Sequence, residues 1–221
     1  MKIVLILFAI LIVGYSKDVP KRNLKFNSYA VIRQLFEMIK YNIKNGHFEK
    51  DLPALDPFQF INKTIEMLLP HNALSLHADF KNGVFKGLAN FQLEEVDFVR
   101  DEIAMDLLIR FPSLTFTSGS MEIRNYIFGG RVYLMQSKDE KSVLIRNISH
   151  PQFNIEQIVS RLDFDKNIDN IINAIIDDLL ANYFTRFNQY VSHICADDVM
   201  DLVNYFLNKL DTWTIFAVLL W

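Results

Sequence analysis

Between Leu74 and Asn147 apolar and polar residues alternate in one short run after another. Leu74, Leu76, Ala78 and Phe80 fall on one side of an extended chain, with Ser75, His77 and Asp79 on the other. Ile103, Met105, Leu107, Ile109 and Phe111 repeat the pattern, with Asp106 and Arg110 opposite. A period of two lays one face of each strand on an apolar interior. Strands joined by short polar turns pair antiparallel. From about Asn167 to Ile194 the period becomes helical. Ile168, Ile171, Ile172, Ile175, Leu179, Phe184, Phe187, Val191 and Ile194 form one broad apolar stripe. A sheet wrapped on a long helix follows, an α+β arrangement by the layer rules. The chain has 19 Phe against 2 Trp, so apolar volume is plentiful.

The flanking segments carry their own punctuation. Asn27 or Ser28 can cap a helix bearing Val31, Ile32, Leu35, Phe36 and Ile39, and Gly46 can end it. Asp51 to Pro57 reads as an extended connector, because residues before proline avoid the helical region. Phe58 to Leu69 fits a short helix or a strand. Asn82-Gly83 reads as a hairpin turn, and Gly87 as a bulge or a close backbone approach. Glu94-Glu95 breaks the alternation between Phe91/Leu93 and Val96/Phe98. Gly129-Gly130 and Ser137 to Lys141 read as further turns. Asp197 or Asp198 can cap a final helix carrying Val199, Leu202, Val203, Phe206 and Leu210.

Lys2 precedes an unbroken apolar run from Ile3 to Val13, and Gly14-Tyr15-Ser16 offers small residues at the −3 and −1 positions. This is the pattern of a cleaved secretory signal, too short to span a bilayer. It predicts a signal peptide over 1–16 and one mature domain over 17–221, secreted to the extracellular space. Two sequons, at Asn62 and Asn147, suit that route as glycosylation sites. Cys195 is the only cysteine, so no internal disulfide forms. The net charge is −3, and removal of Lys2 makes it one unit more negative. Such a balance does not suit nucleic acid or an anionic membrane as partner. Trp213 to Trp221 is apolar but too short for a stable membrane anchor.

Catalytic patterns are missing. No Gly-x-Ser-x-Gly elbow or phosphate-cradling Gly-x-x-x-x-Gly-Lys occurs, and the five histidines have no ligand-like spacing. His193 and Cys195 stand two apart, off one helix face. Asp177-Asp178 and Asp197-Asp198 diverge by about a hundred degrees if helical, so neither pair aims at one atom. The sequence predicts no enzyme, no cofactor and no metal.

Several segments together resemble the insect takeout and haemolymph juvenile-hormone-binding family of the tubular lipid-binding superfamily. Leu52-Pro53-Ala54-Leu55-Asp56-Pro57-Phe58 resembles its proline and Asp-Pro-Leu segment. Asn82 to Phe91, with Gly87-Leu88 inside it, is similar to its Asn-x-x-x-x-Gly-Leu-x-x-Phe stretch. Phe111-Pro112-Ser113-Leu114 resembles its Pro-x-Leu strand start, and Leu179 to Asn188 sits where the family carries its long helix. The family's amino-terminal cysteine pair has no counterpart here. The resemblance implies a curved antiparallel sheet wrapped around one long C-terminal helix, with an N-terminal helical arm and an elongated apolar cavity. It implies a carrier of a small hydrophobic ligand, fatty acid-like, terpenoid or juvenile hormone-like. Candidate lining residues are Phe36, Phe80, Phe91, Met105, Leu107, Phe111, Phe116, Tyr133, Phe184 and Phe187. The alternative is a secreted interaction protein of the same fold with a filled cavity.

Overall fold

The structure, a computed structural model, describes residues 26–68, 75–116, 121–161, 169–175, 177, 178, 182, 186 and 200–220. It opens with helix α1 (Phe26–Asn45). Asn27 and Ser28, the expected caps, already lie inside this helix. Gly46 ends it as expected, with φ +70 and its N–H donating to Asn42 O at 2.8 Å. A Cβ there would stand 2.5 Å from Leu52 O, so the departing chain requires glycine. Ile43 O then accepts from both Leu55 and Asp56 N–H, at 2.8 and 3.1 Å. That contact ties the extended connector back to the helix without a disulfide.

Six strands follow: β1 (Phe58–Leu68), β2 (Ser75–Lys86), β3 (Gln92–Val99), β4 (Ala104–Phe116), β5 (Met121–Gln136) and β6 (Val143–Ser160). All described pairings are antiparallel, in the order β1-β2-β4-β5-β6, with β3 also on β4. Residues 58–68, which fit helix or strand by sequence, are strand. One edge of β4 is shared end to end. β2 takes its far end through Phe85↔Phe116 and Lys86↔Thr115, and β3 takes Ala104 to Arg110. The short 3-10 turn Leu88–Asn90 carries the chain between them.

Two expected turns are not turns. Asn82 and Gly83 lie inside β2, opposite Ile61 and Phe60, and the β1–β2 connection is at 69–74. Gly129 and Gly130 lie inside β5, opposite Leu108 and Leu107. Pairing partners on the neighbouring strands outweigh local turn propensity. The Ser137–Lys141 turn forms as expected, closed by Ser137 N–H to Ser142 O at 2.9 Å. Glu94-Glu95 does interrupt its strand, as a register shift between Leu93 and Glu95.

Curvature comes from further irregularities. β6 shifts register against β5 at Tyr133/Leu134 and again at Gly129/Arg131. Positive φ at Asn125 and His150 marks two places where the chain changes phase. On β5, Ile123 and Tyr126 are both buried although they stand an odd three positions apart. Bulges of this kind bend and coil a sheet.

One large cluster of the described core lies at the α1 end. Ile32 and Leu35 of α1 meet Val96, Met105, Val132, Leu134, Val143 and Ile148 of the sheet. Phe216 and Leu219, from the short helix α3 (Trp213–Ala217) and the turn after it, complete it. This C-terminal segment is fastened at four points. Thr212 Oγ1 accepts from Val143 N–H at 2.8 Å, and Trp213 N–H donates to Lys141 O at 2.9 Å. Ser142 Oγ donates to Leu210 O, and the Arg100 guanidinium donates twice to Leu219 O, at 3.2 and 3.1 Å. A smaller cluster joins Leu52 to Phe206 and Leu210, residues 200–207 being helical. Helix α2 (Asp169–Ile175) begins the stripe expected over 167–194, and residues 182 and 186 are helical too. Ser160 at the end of β6 holds this region, its N–H donating to Asp177 Oδ1 at 2.6 Å and its hydroxyl to Asn173 Oδ1 at 2.9 Å. Asp197, Asp198 and the rest of the long stripe lie outside the described residues.

Candidate functional site

The two faces of the sheet differ in chemistry. On the outer face, Arg131 grips both oxygens of Asp106 at 2.7 and 2.8 Å and reaches Glu102 at 3.1 Å. Its guanidinium is shifted well above the ordinary arginine range, chiefly by the hydrogen bonds to Asp106. Arg110 bridges Glu94 and Gln92 across β3 and β4, and Arg124 bridges Glu122 and Gln157. These cross-strand ties hold register and satisfy charge at the surface.

The inner face carries a row of aromatic rings. Phe36 of α1 meets Phe91 edge-on with ring centres 6.0 Å apart. Phe91 lies 5.9 Å from Phe111, Phe111 lies 5.8 Å from Tyr126, and Tyr126 lies 6.1 Å from Phe153. A second pair, Phe85 and Phe116, stands across β2 and β4 at 4.6 Å. Leu114, Ile123, Ile155 and Ile158 are buried on the same strands. The row thus runs from α1 across β4, β5 and β6, on strands that bulges have bent.

Asp56 sets the start of the row. Its Oδ1 accepts from Gly87 N–H at 3.0 Å and its Oδ2 from Ala89 N–H at 2.7 Å. One carboxylate therefore fixes the turn that ends β2 and places Phe91 beneath α1. Gly87 has φ +105, and a Cβ there would stand 2.1 Å from Ser113 O. Three segments that are far apart in sequence, around Asp56, Gly87 and Ser113, meet at this point. The close approach expected of Gly87 is present.

Of the candidate lining residues, Phe36, Phe91 and Phe111 belong to the row and Phe116 lies beside it. Met105 is buried within the closed cluster under α1, and Leu107 packs against that cluster. Tyr133 alternates with buried Val132 and Leu134 and therefore points to the other face, where the Arg146 guanidinium lies 5.6 Å from its ring centre. Phe80 pairs through its backbone with Lys63, and its side chain lies outside the described residues, as do Phe184 and Phe187. Sequence reading missed Phe85, Tyr126 and Phe153. Extending the Gln136↔Val143 pairing back along the hairpin would place Tyr126 opposite Phe153; the two bulges move its partner to Ile155. Among the described residues no cluster of His, Cys, Asp or Glu could hold a metal ion. No described helix is long and apolar enough to cross a membrane.

Residues 3–140 match the family model described as haemolymph juvenile hormone binding protein. This chain belongs to that family. The match contains the Asp56 segment, the Gly87 turn and the Phe111–Leu114 strand, the three pieces that meet at the start of the row. Among curated proteins none matches the sequence. Among solved structures, the chain is similar to Takeout 1 of Epiphyas postvittana, with 12% identity and a TM-score of 0.57. The likeness covers 82% of this chain and 93% of that one. At that identity it is a likeness of fold, a curved antiparallel sheet with helices.

Proposed function

We propose that this chain is a secreted carrier of a small hydrophobic ligand, held against the inner face of the sheet. The observation that carries the reading is the ring row Phe36, Phe91, Phe111, Tyr126 and Phe153, which lines aromatic side chains through the interior across four elements. Membership of a family named for binding juvenile hormone supports it. Phe116 and Phe85 flank the row, and Phe80, Phe184 and Phe187 are the further lining candidates, their side chains lying outside the described residues. Each buried methylene contributes about 0.8 kcal/mol, so a terpenoid or fatty chain of roughly a dozen carbons binds in the micromolar range after association costs. In this reading 1–16 is the cleaved signal, 17–221 is the mature domain, and Asn62 and Asn147 carry glycans. No catalytic group takes part.

A second reading has a specific observation behind it. The cluster around Met105, Phe216 and Leu219 is filled by the protein's own side chains, which suits an interaction protein with no ligand. Titration of an environment-sensitive neutral naphthylamine dye separates the two. For the carrier, dye and lipids compete in the micromolar range, and Phe111→Trp weakens binding while unfolding stays cooperative. No dye binding and no lipid in native mass spectra of the secreted protein favour the filled interior.

A further inference from the structure

One turn apart on α1, Phe36 and Lys40 both reach Phe91. Phe36 meets the ring by its edge, and Lys40 Nζ stands 5.0 Å from the ring centre. The ammonium is thus placed at the α1 end of the aromatic row, with about a quarter of its side chain exposed (26%). Among the described residues it is the cation that touches this row. Arg146 lies over Tyr133 on the outer face, and Lys209 over the exposed Tyr205. Of its three donors one goes to Glu37 Oε1 at 3.2 Å, a pair one turn apart on the helix surface. Such exposed pairs are weak, and Glu37 is itself largely exposed at 58%.

We propose that Lys40 anchors an anionic head group, so that the ligand is a carboxylate-headed chain, a fatty or terpenoid acid, rather than a neutral alcohol or ester. The inference rests on the carrier reading and adds the ligand's polar end to it. The tail lies along Phe91, Phe111 and Tyr126. The carboxylate accepts from the ammonium donors that Glu37 leaves over, which compensates the water it loses at the rim of an apolar slot. The phenyl face beneath Lys40 removes water from one side of the ammonium and strengthens its attraction for a carboxylate. Glu37 acts as a competitor, lowering the pull of Lys40 on any other anion.

The test compares dodecanoate with methyl dodecanoate as competitors for the neutral naphthylamine dye, using the full secreted chain. Wild type should prefer the acid by about tenfold, the size of one partly exposed charge-assisted contact. Lys40→Met should remove that preference while leaving ester affinity within about twofold and the unfolding cooperative, since the methionine keeps an apolar stem over Phe91 and the ion pair with exposed Glu37 contributes little to folding. Lys40→Arg should keep the preference, and Glu37→Gln should widen it. An acid preference that survives in Lys40→Met, or wild type that does not distinguish acid from ester, overturns the anchor while the carrier stands. If neither competitor nor dye binds wild type, the carrier reading fails and the anchor fails with it.

Discussion

Replacing Gly87 by alanine places one methyl group against the backbone of β4, and the geometry fixes the consequence. The new Cβ would lie 2.1 Å from Ser113 O, 3.2 Å from Ser113 C and 3.3 Å from Leu114 Cα, where ordinary contact begins near 3.4 Å. Relief requires the turn to retreat by more than an ångström from a strand that cannot yield. The left-handed backbone at φ +105 adds about 1–2 kcal/mol for any residue with a side chain. Retreat also loosens the two pairs that join β2 to β4 at Phe85 and Lys86. Their hydrogen bonds are worth about 1 kcal/mol each, and the Phe85–Phe116 ring contact about 0.5–1.5 kcal/mol. We expect a loss of about 3–5 kcal/mol. Gly130→Ala is the control inside the same sheet. Its Cβ would meet Pro151 Cα and Ser149 O at 3.4 Å, close to ordinary contact, and the stability should stay within about 1 kcal/mol of wild type. Urea unfolding followed by circular dichroism and tryptophan fluorescence reads both. Equal midpoints for the two variants, or a Gly87→Ala midpoint matching wild type, would refute the reasoning.

Phe216→Ala empties a fully buried site shared by α1 and the sheet, and should lower the unfolding free energy by about 3–5 kcal/mol in the same assay. A loss below 1 kcal/mol would mean that the C-terminal segment does not complete the core. Glu122 has its carboxyl held below the ordinary value near 4.5, first by the hydrogen bond from Arg124 and then by that from Ser113. A lowered folded-state value gives stability that is present above the unfolded value and lost as pH falls through the folded one. Glu122→Gln should therefore lower stability at neutral pH, only slightly because the group is partly exposed, and converge with wild type in acid, which flattens the acid limb; an unaltered acid limb counts against the contact. Expressed in insect cells, the chain should reach the medium beginning near Lys17. Endoglycosidase should lower its apparent mass, and Asn147→Gln should remove part of that shift; recovery from the cytosol with Met1 intact overturns export.

The legible parts of the sequence were those where local chemistry and tertiary context agree. Gly46 ends α1 because nothing else fits beside Leu52 O. Glu94-Glu95 shifts register because two acids cannot alternate into an apolar face. Asn82-Gly83 and Gly129-Gly130 misled because turn propensity is local, whereas both pairs sit between strands that supply partners. The phase changes at Asn125 and His150 have no sequence signal that alternation detects, since each needs a positive φ at a non-glycine residue. The same blindness hid Tyr126 and Phe153. For Met105 and Leu107 periodicity reports which face a side chain is on and not what stands opposite. What stands opposite is α1 with Phe216 and Leu219, and nothing in the short run Trp213 to Trp221 marks it as the closing piece.

The position of that closing piece gives the chain an order of assembly. Ile32 and Leu35 leave the ribosome early, yet the cluster they bury into is complete only when Phe216 and Leu219 arrive, with nearly the whole chain in between. Contacts of such separation form late and slowly. During synthesis the α1 face and the inner strands stay uncovered, so a nascent chain offers apolar surface to chaperones until the helix Trp213–Ala217 docks. A stop codon ahead of Thr212 would leave every described strand intact and still deny the protein a finished interior, which makes aggregation or chaperone capture the expected phenotype of a C-terminal truncation.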